Sequence, residues 1–169
     1  MDYNNQELWD ILDGNGNKTG KIVERGKPMG QDEYHLVVHV WIKNRNGEFL
    51  ITKRTPNKTI LPNMWETTCG SAIVGDDSLK AVLREVKEEI GIDLSPTNGK
   101  YLFRLKRQHH DFPDFIDAWL FKEEVAITEV IYQPEEVCGA KWATPSQIQF
   151  LIELGEFADT FTYLDDLFK

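Results

Sequence analysis

Several things are scarce in this chain, and each scarcity excludes a class of protein. Two cysteines in 169 residues, Cys69 and Cys138, are too few for a disulfide framework. A reduced, cytoplasmic setting is therefore expected. No apolar run approaches the ~20 residues that a membrane helix needs. The opening Met1-Asp-Tyr-Asn-Asn-Gln is polar, so neither a membrane partner nor a secretion signal is expected. Positive charge is in deficit: 19 Lys and Arg against 28 Asp and Glu give a net charge of −9. Such a surface repels a nucleic-acid backbone, so no nucleic-acid partner is expected. It still admits a small anionic substrate where a bound cation or local Lys and Arg reverse the field. There is no internal repeat and no low-complexity tract. The length suits a single domain, residues 1–169, with a core large enough to stand alone.

What is present is concentrated between Gly70 and Ile92. Leu79, Val82, Leu83, Val86 and Ile90 recur at helical spacing. Asp76, Asp77 and Ser78 are good N-cap residues, and Gly91 supplies a left-handed exit. On this helix the apolar stripe spans roughly 100° of arc, and Glu85, Glu88 and Glu89 are centred roughly 130° round from it. Arg84 lies one turn before Glu88, close enough for an ion pair. Three carboxylates in one turn repel each other unless something positive sits among them. A hard divalent cation, Mg²⁺ or Mn²⁺, meets that need, because it prefers oxygen ligands and is commonly shared with substrate phosphates. A solvated amphipathic helix would show the same residues. The preceding loop, with Gly70, Gly75 and the acid pair, favours the ligand reading, since glycine lets a ligand approach the backbone.

This segment resembles the signature of the Nudix hydrolases, G-x5-E-x7-R-E-U-x-E-E-x-G-U, where U is a bulky aliphatic residue. Gly70, Arg84, Glu85, Val86, Glu88, Glu89, Gly91 and Ile92 stand at its fixed positions. The single departure is Asp76 in place of glutamate. The resemblance implies that Glu85 and Glu89 bind the metal, with the Gly70 carbonyl as a further ligand. Glu88 would be another ligand or the base, and Arg84 would brace the helix. It also implies an enzyme that cleaves a diphosphate bond, in a nucleoside diphosphate linked to another moiety or in a related small diphosphate. A homodimer is compatible with it. Arg54, at a strand end beside Lys53, would reach substrate phosphate, and Glu135 or Glu136 would serve as base or extra ligand.

The expected fold is an α/β/α sandwich with a central mixed sheet. Residues 1–30 form an amino-terminal hairpin extension, with strands over Glu7–Leu12 and Thr19–Glu24. The core runs over 33–145. Its strands cover His35–Ile42, Glu48–Arg54, Met64–Cys69, Tyr101–Arg107, Phe115–Lys122 and Ala140–Ala143. Helices follow over 145–169, one from Pro145 to Leu154 and one from Phe157 to Phe168. His109 and His110 fall in a polar turn. Trp9, Trp41, Trp65, Trp119 and Trp142 read mostly as core.

Two other functional classes compete. Isopentenyl diphosphate isomerases resemble this chain at Cys69-Gly70 and in the Tyr34-His35-Leu36 context. His35 matches one of their metal-binding histidines, but two others are replaced here by Ser71 and Pro28. A non-catalytic diphosphate-binding module would keep the fold but has no need of the full carboxylate set.

Overall fold

The computed structural model describes residues 7–108 and 111–169, so the turn histidines His109 and His110 lie outside it. Its centre is the strand β3, His35–Lys43, where β-branched and aromatic residues suit a surface buried on both faces. An Asn44–Gly47 turn leads out of β3. Asn44 Oδ1 accepts from the Asn46 and Glu48 amides at 3.0 and 2.9 Å, and Gly47 takes a φ of 82°. The chain then returns as β4, Phe49–Arg54. A stretch expected as one strand over 64–69 is two: β5, Trp65–Glu66, pairs with β4, while β6, Thr68–Ser71, pairs with β3. The break falls at Thr67, whose hydroxyl donates to the Val40 carbonyl and anchors the crossing.

After helix α1, Ser78–Ile90, strand β7 (Gly99–Arg107) runs antiparallel to β8, Asp114–Lys122. β8 in turn lies parallel to β3, so the sheet is mixed, as expected. Strand β9, Val137–Ala143, pairs with β4. Val38, Val40 and Ile42 pack beneath α1. Trp41, Phe49 and Ile51 pack on the opposite face, against α2 (Pro145–Glu153) and the carboxy-terminal segment. The architecture is the expected α/β/α sandwich.

The expected helix over 157–168 is largely absent; only α3, Leu164–Leu167, is helical there. Its backbone bonds go elsewhere. Trp65 N donates to Glu156 O and Ala158 N to Trp65 O, both at 2.8 Å, so this stretch pairs with β5. Phe157, Phe161 and Tyr163 then enter the core one after another, a spacing no single helix face provides. Among the described residues no helix is long and apolar enough to cross a membrane.

Strands β1, Leu8–Leu12, and β2, Lys18–Glu24, form the separate amino-terminal hairpin. It is docked on the loop that precedes α1. Val74 N donates to Leu8 O at 2.8 Å, Gly75 N to Asp10 Oδ2 at 3.0 Å, and Lys18 Nζ to Asp76 O at 2.9 Å. Trp9 stacks on His35 with ring centroids 3.9 Å apart.

Candidate active site

Helix α1 begins at Asp77, whose side chain accepts from Lys80 N at 2.8 Å. It ends at Gly91, in the left-handed region with a φ of 72°. Between these caps the three glutamates separate. Glu85 and Glu89 point inward and are 8 % exposed, whereas the Glu88 side chain stands at the rim, 51 % exposed.

Arg84 ties the array together. Its guanidinium donates to Asp76 Oδ2 at 3.0 and 3.1 Å, to Glu85 Oε1 at 2.9 Å, to Glu88 Oε2 at 3.1 Å and to the Ser71 carbonyl at 2.9 Å. Asp76, one methylene shorter than the signature residue, still reaches Arg84 through two nitrogens. Burial alone would lower the Arg84 pKa, but Glu85 and Asp76 outweigh it and hold the cation above its ordinary value.

Beneath Glu85 lies Gly70. A Cβ there would sit 2.1 Å from Glu85 Cδ, so only glycine lets this carboxylate rest against the β6 backbone. Burial raises the Glu85 pKa to about 7 against the pull of Arg84, with Glu88 and Glu7 adding to the rise. Glu89 is pushed well above the usual carboxylate range by burial, then by Glu85, Glu66 and Glu136. Among the described residues no Lys or Arg forms an ion pair with Glu89. The residues present therefore fit a hard cation: two buried carboxyl groups set against the Gly70 backbone, all oxygen donors, whose ionisation burial opposes until a positive charge joins them. Among the described residues no three such side chains already converge at ligand distance, because Arg84 draws Glu85 and Glu88 to itself.

The cavity in front of these carboxylates is small, about 80 Å³. Cys69, Gly70 and Ser71 form its floor. Gln133 and Glu136 enter from the segment after residue 130, which is held to α1 by Gln133 N donating to Glu89 O at 2.9 Å. Glu7 and Arg25 enter from the hairpin. A larger hollow of about 760 Å³ lies at the far end of β3, around Asn44–Gly47 and Lys122–Glu124. Among the described residues no buried charged side chain lines it, in contrast to the cavity at Glu85 and Glu89.

Comparison with known proteins decides the family. The NUDIX domain family matches residues 33–164. An uncharacterized Nudix hydrolase of Listeria monocytogenes is 39% identical over 166 residues, covering 96% of this chain and 94% of that protein. A Deinococcus radiodurans crystal structure superposes with a TM-score of 0.77 at 20% identity, over 96% of this chain and 100% of that one. The chain belongs to the Nudix hydrolases. It is thus an enzyme of a family acting on diphosphate-containing substrates. The isopentenyl-diphosphate Delta-isomerase of Escherichia coli is also similar, 27% identical over 92 residues, 54% of this chain and 50% of that one.

Within this Nudix domain the isomerase-like residues do not assemble a second centre. His35 is stacked in the hairpin interface on Trp9. The Cys69 thiol is pushed up by burial and by Glu66 and Glu89, against the thiolate a nucleophile needs. Arg54 does not line the cavity. It donates to Glu66 Oε1 at 2.8 Å and to the carbonyls of Ile60 and Leu61 at 2.9–3.1 Å. Glu135 stays outside while its neighbour Glu136 lines the cavity, paired with Lys58. Glu7 and Arg25 had no signal in the sequence, because they reach the site only through the docking of the hairpin.

Proposed function

We propose that this protein is a divalent-metal-dependent hydrolase, using Mg²⁺ or Mn²⁺, that cleaves the diphosphate bond of a nucleoside diphosphate linked to another moiety, or of a related small diphosphate. The observation that carries this reading is the pair of buried, under-compensated carboxylates Glu85 and Glu89 set against Gly70. These two side chains and the Gly70 carbonyl would hold the cation. When bound, such a cation neutralises phosphate oxygens and makes the attacking water more acidic.

The chain's own residues do the rest. Arg84 holds Glu85 and Glu88 by one carboxylate oxygen each and leaves the other oxygen of each for the cation or the attacking water. Glu88, at the rim and open to solvent, takes the proton of the attacking water. Arg54 acts indirectly, holding Glu66 behind the cavity, since its donors are committed to Glu66 and two carbonyls. The net charge of −9 supports a small-molecule substrate over a nucleic-acid or anionic membrane partner, and the two free cysteines suit a reduced, cytoplasmic setting. Incubation with a panel of nucleotide-linked and simple diphosphates, with and without Mg²⁺, followed by product identification, tests this reading. Metal-dependent cleavage between the two phosphorus atoms is expected. Turnover of isopentenyl diphosphate to an isomer, or binding without turnover, would contradict it.

A further inference from the structure

The cavity has an electrostatic problem that the catalytic helix does not solve. Glu7, Glu85, Glu88, Glu89 and Glu136 all line it, and a diphosphate adds more negative charge. One bound cation offsets only part of this. The nearby basic groups are already committed. Arg84 serves Asp76, Glu85, Glu88 and the Ser71 carbonyl. Arg54 serves Glu66 and two loop carbonyls. Lys58 is held by Glu136.

Arg25 differs. It follows β2 and lines the cavity, and its side chain remains 55% exposed. Its backbone amide donates to Glu7 O at 2.8 Å and one terminal nitrogen to Glu7 Oε2 at 2.7 Å. A guanidinium has five donors in a planar fork, so a single ion pair orients it and leaves donors for a phosphate. The hairpin that carries it is pinned to the loop before α1 through Leu8, Asp10 and Lys18, which fixes Arg25 relative to the carboxylates. This hairpin precedes residue 33, where the family match begins.

We propose that Arg25, oriented by Glu7 and carried over the cavity by the amino-terminal hairpin, binds the non-bridging oxygens of the substrate's diphosphate. The proposal rests on the diphosphate reading above and adds a substrate-binding residue from outside the signature. Arg25 acts on binding and not on the bond-breaking step, so its loss raises KM more than it lowers kcat.

The test pairs hydrolysis kinetics with calorimetric binding of methylenediphosphonate, a non-hydrolysable diphosphate, in millimolar Mg²⁺. For R25A the expected result is a rise in KM of about tenfold to a hundredfold, kcat within about threefold, and a comparable loss of probe affinity. R25K falls between, because an ammonium keeps the charge and loses the fork. K27A, on the exposed loop two residues away, stays at wild type. Should R25A fail to melt cooperatively, R25Q, which can still hydrogen-bond Glu7, is read in its place. Wild-type binding and KM in the Arg25 variant overturn the proposal. So does equal loss in K27A, or no binding of the probe by the wild type. Arg25-dependent probe binding in a protein that cleaves no diphosphate overturns the hydrolase reading and leaves the Arg25 site standing.

Discussion

The two faces of the central sheet bury polar groups in opposite ways. On the face away from α1, His39 and Trp41 meet one hydroxyl. Tyr163 Oη lies 2.8 Å from His39 Nδ1 and accepts from Trp41 Nε1 at 2.9 Å. These three side chains are uncharged: burial, then the Arg107 cation paired with Asp114, lowers the His39 pKa to about 3. On the α1 face, Glu66, Glu85 and Glu89 are each 8 % exposed, and Arg54 and Arg84 compensate only the first two. A neutral, fully partnered cluster serves to fix the carboxy-terminal segment. Carboxyl groups buried with too little positive charge serve no packing purpose and are what the proposed cation site requires.

The largest effect expected from breaking this contrast is on turnover. Glu89→Gln keeps the shape and removes the charge. A metal contributes several kcal/mol of transition-state stabilisation, so hydrolysis should fall on the order of a thousandfold at saturating Mg²⁺. Without the metal the melting temperature should hold or rise, since an acid whose ionisation the site opposes is replaced by a neutral amide of the same shape. Activity within a factor of a few of wild type would remove Glu89 from the metal site.

The opposite face should instead report through pH. His39 titrates near 3 in the fold and near 6.5 when unfolded, so the folded state disfavours its protonation. Its contribution to stability is fully present above pH 6.5 and is lost as pH falls from there toward 3. Between pH 7.5 and 4 the loss amounts to roughly 3 kcal/mol. Denaturant melts of wild type and His39→Phe across that range should converge by this amount at low pH. Parallel curves would show that His39 is not held neutral. Turnover at pH 7.5 should be nearly the same in both proteins.

The smallest effect is expected between the two faces, at Cys69, whose Sγ lies 3.6 Å from Glu66 Oε2. Cys69→Ser should change diphosphate hydrolysis by less than about tenfold. A larger loss at unchanged melting temperature would restore the isomerase-like use of this thiol.

The sandwich and its strands were readable because hydrophobic period and turn chemistry are local properties. β3, the Asn44–Gly47 turn and the caps of α1 are written in adjacent residues. The carboxy-terminal segment was not readable, because its conformation is decided by Trp65, far away in the sequence, which takes up the backbone bonds of Glu156 and Ala158. In the site, the signature located Glu85, Glu88, Glu89 and Gly70, and the geometry then distinguished two buried carboxylates from one at the rim. Arg54 looked available from its place at a strand end, yet Glu66 and the carbonyls at residues 60 and 61 engage it, and only tertiary structure brings those together. Glu136 could not be separated from Glu135 until the turn from Gln133, closed by Glu136 N donating to Gln133 O and Thr55 N to Glu136 O, placed it.

Whether the carboxylate face is a cation site is tested most directly by a thermal melt. Wild type and Glu85→Gln are melted with chelator, with millimolar Mg²⁺, and with Mg²⁺ plus methylenediphosphonate. Binding to the folded state alone at a hundredfold excess over Kd stabilises by about 2.7 kcal/mol. Wild type should therefore melt several degrees higher with Mg²⁺ or with Mg²⁺ and the diphosphate. Glu85→Gln should lose most of that shift and, with chelator, melt at or slightly above wild type. An unmoved wild-type melt in every condition, or an equal shift in both proteins, would contradict the assignment.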